Sequence, residues 1–141
     1  MARCVALIGW GMALVLATMW AGCRAAGDTA NMTEVQRLKS GALNVVVLSP
    51  HQALRHGKDS FTVEFRSASD GSLVDVGDVR ASANMPMPGM PMFGSFEVQR
   101  TTPPGRYAVT SDLGMAGSWR MKIEWEGPKD PGSVSFTGSV Q

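Results

Sequence analysis

The sequence predicts an all-β domain, a single sandwich of about seven short strands behind an exported N-terminus. Three observations carry that expectation. From Leu43 onward apolar and polar residues alternate with a period of two, the spacing that turns every second side chain to the same face of a strand. Turn-forming groups (Asp70-Gly71, Pro88-Gly89, Thr102-Pro103-Pro104-Gly105) interrupt that alternation at short intervals. The first 22 residues have the make-up of a secretory signal rather than of a folded element.

Arg3 is the only charge before residue 24, and it precedes the apolar run Val5–Ala21, which leaves through Ala21-Gly22 to Cys23. The run is short and poorly flanked for a transmembrane helix, which needs ~20 apolar residues. Cys23 directly after Ala-Gly resembles a bacterial lipobox, in which the cysteine thiol is acylated and becomes the mature N-terminus, although Trp20 stands where that pattern has Leu. Residues 1–22 are therefore expected to be a signal peptide, Cys23 a lipid anchor to the membrane, and residues 23–40 a tether. Several acyl chains on one terminus hold far more firmly than a single chain. Arg24 follows where Asp would mark inner-membrane retention, so the same resemblance favours the outer membrane of the cell envelope. Within the tether, Val35 and Leu38 at i, i+3 suggest a short helical turn over Thr33–Lys39.

The strands follow. Leu43–Leu48 is mostly apolar, and Phe61-Thr-Val63-Glu-Phe65 alternates as a half-buried strand. Val79-Arg-Ala81-Ser-Ala83 alternates again, and Phe93–Gln99 and Arg106–Val109 come next. Ser118–Trp125 sets Trp119, Met121, Ile123 and Trp125 on one face against Arg120, Lys122 and Glu124 on the other, and Val134–Val140 closes the chain. Short strands at this spacing point to an immunoglobulin-like sandwich over residues 41–141.

Composition narrows the function. Removing the signal leaves 119 residues, enough for one domain with a modest core. It also removes Arg3, leaving 12 basic against 12 acidic groups, so there is no basic footprint for nucleic acid. Cys4 leaves with the signal, and an acylated Cys23 has no free thiol; no disulfide and no thiolate ligand is expected. The two histidines, His51 and His56, share one loop, Pro50–Lys58, and read as solvated loop residues. No nucleophile–base–orienter set and no phosphate-binding glycine loop can be assembled, so the chain is not expected to be an enzyme.

One segment carries chemistry. Met85-Pro86-Met87-Pro88-Gly89-Met90-Pro91-Met92 is a near-palindrome about Pro88-Gly89. Pro-Gly fits the centre of a type II turn. Were the flanks to pair across a two-residue turn, Met87 would face Met90, Pro86 would face Pro91 and Met85 would face Met92. Cross-strand partners share a face, so the four sulfurs would lie on one side and the prolines on the other. Thioethers are soft, uncharged donors that suit Cu(I) and suit hard ions poorly. Met115, in the glycine-rich stretch before Trp119, is a candidate fifth donor. Each methionine also has a plain reading as filler for an irregular gap in the core, or as part of an adaptable, adhesive surface.

Several stretches together resemble the YtkA-like family of small exported domains, related to FixH-type proteins. They are Phe61-Thr-Val63-Glu-Phe65, the Asp70-Gly71 turn, Met85-Pro-Met87-Pro-Gly-Met90, Pro104-Gly105-Arg106-Tyr107 and Leu113-Gly-Met115-Ala-Gly117-Ser-Trp119. The resemblance spans roughly residues 43–126. It implies an immunoglobulin-like fold, a periplasmic setting and an association with copper handling, heavy-metal efflux or cytochrome oxidase assembly. Carried onto this sequence it points at Met85, Met87, Met90 and Met115, with Met92 added by the local symmetry. Two functions are expected to compete: binding or handover of Cu(I) through these methionines, with a copper-efflux or oxidase-assembly protein as partner, and a metal-free module that docks such a partner through its Met-Pro face.

Overall fold

The computed structural model describes residues 29–127 and 130–141. The signal peptide expected over 1–22 and the anchor expected at Cys23 lie outside the described residues. Among the described residues, eight strands form one antiparallel sheet: β1 (Thr33–Ser40), β2 (Leu43–Ser49), β3 (Gly57–Ser67), β4 (Asp78–Met85), β5 (Met92–Arg100), β6 (Arg106–Leu113), β7 (Gly117–Glu126) and β8 (Gly132–Val140). Their order across the sheet is β1-β2-β3-β6-β5-β4-β7-β8.

The sheet is folded into a sandwich at β5. Residues 92–94 of that strand pair with β4, and residues 95–100 pair with β6, so β5 belongs to both halves. Gly94 stands at the change of partner, where a Cβ would lie 2.4 Å from the Leu113 Cδ2, closer than carbon atoms approach. The core fills the space between the halves. Val45, Val47, Phe61, Val63 and Phe65 enter from one side, Trp119, Met121, Ile123 and Trp125 from the other. Phe65 meets Trp125 edge-on at 5.1 Å and Tyr107 at 5.5 Å, the arrangement favoured by ring quadrupoles. The all-β class and the inward face of β7 are as the alternation predicts.

The expected helical turn over Thr33–Lys39 is instead strand β1, which pairs with β2 from Thr33↔Ser49 to Ser40↔Leu43. The reason lies in one extra residue. A β-bulge between Glu34 and Gln36 shifts the register, so Val35 and Leu38 both pack against the core although three positions apart. An i, i+3 spacing on one face is thus produced by a bulged strand as well as by a helix. The sandwich accordingly begins at Thr33 and takes the last eight residues of the expected spacer.

Candidate metal centre

The β4–β5 hairpin meets its expected register at the base. Met85 pairs with Met92, Asn84 with Phe93 and Ala83 with Gly94. Beyond Met85↔Met92 the paired strands stop, so Pro86 and Pro91 sit where no ladder donor is required. Pro88-Gly89 forms the turn, with Gly89 at φ 82°, the conformation glycine adopts without steric cost. Met87 and Met90 flank that turn outside the strands rather than extending the ladder, and they are 41% and 75% exposed.

Met85 and Met92, as direct cross-strand partners, share a face. That face turns towards the connection between β6 and β7. The Met85 side chain is buried, with its Cε 2.8 Å and its Sδ 3.8 Å from where a Cβ on Gly117 would stand. The Met92 Cε lies 3.1 Å from the corresponding point on Gly114. Both side chains therefore end on the two glycines that bracket Met115-Ala116, and a larger residue at Gly117 would displace the Met85 Cε methyl. The Met115 carbonyl accepts a hydrogen bond from the Trp119 indole N–H at 2.9 Å, which ties the loop to the buried start of β7. The Met115 side chain itself is 39% exposed.

Met85 and Met92 thus approach the two glycines on either side of Met115-Ala116, while Met87 and Met90 stand further out at the hairpin tip. The exposed large hydrophobic residues, among those described, are Met87, Met90, Phe93 and Met115, all at this one end. Also among the described residues, no three of His, Cys, Asp and Glu come close enough to share a metal ion.

Sequence reasoning missed a buried charge. Alternation along β3 turns Glu64 away from the core, yet it is fully buried. Its Oε1 accepts from the Arg106 Nε at 2.8 Å and its Oε2 from the Arg66 Nε at 2.8 Å. Arg106 is the direct cross-strand partner of Glu64, and Arg66 shares its face two residues on. An acid with an arginine at i+2 and another opposite was the available signal. A second polar lock holds the far end, where the Tyr107 hydroxyl donates to the Gly77 carbonyl at 2.8 Å and lies 3.2 Å from the Asp75 carboxylate.

A family model described as YtkA-like matches residues 37–124. No curated protein matches the sequence. Among solved structures the chain is similar to "as isolated" FetP of a uropathogenic Escherichia coli strain, at 10% identity and a TM-score of 0.46, covering 75% of this chain and 93% of that one. It is similar to a copper-bound variant of the same FetP at 8% identity and a TM-score of 0.48, covering 77% and 96%. The Lin-41 filamin domain is similar at 20% identity and a TM-score of 0.41, covering 63% and 81%.

Proposed function

The chain belongs to the YtkA-like family, and from that premise we propose that it is a cell-envelope protein that binds Cu(I) through thioethers at one end of its sandwich. The observation that carries this reading is the approach of the Met85 and Met92 side chains to Gly117 and Gly114, the glycines that flank Met115, with Met87 and Met90 exposed at the hairpin tip. Thioethers need no deprotonation, so such a site keeps its donors across the pH range of an exposed compartment. A partly exposed donor set suits transfer of the ion: Met87 and Met90 accept it from solvent or from a donor protein, and the buried Met85 holds it. Lipid attachment at Cys23 would keep the site at the membrane, beside a copper-efflux or oxidase-assembly partner. The domain supplies no catalytic step.

A second reading has its own support. Phe93, beside Met92 in β5, is 76% exposed, and exposed apolar side chains of this kind at one end are also what a protein-docking face requires. The two are separated by titrating Cu(I) into the protein against a chromogenic chelator, with Met85, Met87, Met90, Met92 and Met115 intact and then all changed to Leu. Leucine keeps the apolar volume and deletes the sulfur. Stoichiometric binding that disappears in the Leu variant is expected. A wild-type protein that leaves the chelator its copper would reject the metal reading and leave the docking face.

A further inference from the structure

The Met-Pro hairpin projects an uncharged, apolar tip. No residue from Ala81 to Phe96 carries a charge. Past the Met85↔Met92 pair the hairpin leaves the sheet, and every residue from Pro86 to Pro91 is exposed, as is Phe93 just after it. Half of Pro86–Pro91 is proline, which has no backbone N–H. The tip therefore holds few donors that an apolar medium would leave unpaired, and no ion that such a medium would penalise.

The chain enters the sandwich from the same end. Thr33, the first residue of β1, faces Ser49 at the end of β2. β2 runs antiparallel to β3, whose first residue, Gly57, faces Leu113 at the end of β6. Asp112, just before Leu113, faces Ser95 near the start of β5, the strand that Met92 opens. The start of β1 and the Met-Pro hairpin thus share one end of the sheet, and Ser40 and Ser67 mark the other. Thr29 sits just ahead of β1, its carbonyl accepting from the Met32 N–H at 3.1 Å. Cys23 lies six residues before Thr29, and six residues span at most ~21 Å. From Thr33 to Ser40 β1 alone covers ~24 Å, and the turn at Ala68–Asp70 lies beyond that end. A lipid on Cys23 therefore reaches the bilayer with the Met-Pro end towards it, and is too short to hold the far end there.

We infer that the hairpin tip, Pro86–Pro91 with Phe93, is a membrane-contact loop that enters the headgroup–acyl boundary of the bilayer holding Cys23. This rests on the lipid attachment proposed above and not on copper. Because the anchor already keeps the tip at the surface, a weak apolar insertion is enough to fix the orientation of the domain. The test uses the membrane-extracted protein with an environment-sensitive NBD dye on Met90→Cys at the tip or on Ser69→Cys at the far end, an acylated Cys23 offering no competing thiol. Each is reconstituted into phosphatidylethanolamine–phosphatidylglycerol vesicles whose acyl chains carry a nitroxide quencher. The dye at position 90 is expected to lose most of its emission and the dye at position 69 to keep it. Adding Met87→Asp and Phe93→Asp to the position-90 protein is expected to restore the emission. If the protein floats with the vesicles and neither dye is quenched, or the aspartates change nothing, the membrane loop falls and the anchor stands. If the protein does not float with the vesicles, both fall, and the chelator titration still decides the copper reading by itself.

Discussion

At the scale of single residues, three carboxylates couple this fold to acid. The Gly77 backbone N–H donating to the Asp75 Oδ1 at 3.0 Å holds that carboxyl below its ordinary range, with help from the Tyr107 hydroxyl and from Arg100. Glu34 is lowered chiefly by its hydrogen bond from Arg37, and Asp70 by the backbone N–H and hydroxyl of Ser72. A carboxyl whose folded value is depressed contributes stability that is fully present above its unfolded value, about 4, and is lost as pH falls through the folded value. The thermal midpoint should therefore be flat from about pH 7 to about pH 5 and fall below about pH 4. Asp75→Asn keeps an acceptor for Gly77 and Tyr107 but cannot titrate, so its midpoint should decline less steeply with acid than that of the wild type. An equal slope would remove Asp75 from the account. Glu64 shows the limit of legibility at this scale. Alternation correctly sets it on the outer face of β3, but its burial comes from Arg66 and Arg106 closing over it, and side-chain cover of that kind leaves no periodic trace.

At the scale of elements, two glycines with positive φ predict losses of different size. Gly105 has φ 93°, and a Cβ there would stand 2.8 Å from both the nitrogen and the oxygen of Val74, 2.9 Å from its carbonyl carbon. Its own carbonyl accepts from the Phe65 N–H at 2.9 Å, and the Val74 N–H donates to the Phe65 carbonyl at 2.8 Å. A methyl group would wedge backbone from backbone at a three-way junction beside the core. Gly89 at φ 82° faces open space, so Gly89→Ala carries only the left-handed strain, roughly 1 kcal/mol. Gly105→Ala adds the clash and should cost about 3 kcal/mol or more, read as a drop in the urea midpoint at unchanged slope. Comparable shifts for the two variants would show that the Val74 contact yields easily. The same contrast explains what could be read in advance. Strand β7 was legible because every second residue is large and apolar. The base of the hairpin was legible because the segment is symmetric about Pro88-Gly89, which leaves one register. The tip was not, since two prolines and a turn end the ladder before Met87 and Met90 can pair, and β1 was hidden by its bulge.

At the scale of the whole molecule, Met115 is remote in sequence from the Met-Pro segment and lies at the same end only because of how the sheet folds. β5 changes partner at Gly94, which delivers the Met-Pro hairpin from the β4 side to the top of β6. The connection from β2 to β3 crosses to β8 through Leu54↔Val140 and enters β3 on the other side of β6 from that hairpin. None of this follows from periodicity, because strand order in space is not strand order in sequence. An ion bound as proposed by Met85, Met92 and Met115 would bridge the β4–β5 hairpin and the β6–β7 loop. A ligand that binds the folded state alone, at a free concentration about a hundred times its dissociation constant, stabilises by roughly 2.7 kcal/mol. For a domain of this size that is a rise in Tm on the order of 10 °C. Silver(I), a redox-inert stand-in for Cu(I), should therefore raise the Tm of the wild type by about that much, and EDTA, which prefers hard ions, should neither raise nor lower it. The variant with all five site methionines changed to Leu should melt within a few degrees of the metal-free wild type, since volume is conserved, and should show no silver shift. A silver shift that survives in the Leu variant would place the ion elsewhere. A large loss of Tm in that variant without metal would instead make the methionines structural members of the core, with Met85, the most buried of the five, the first to suspect.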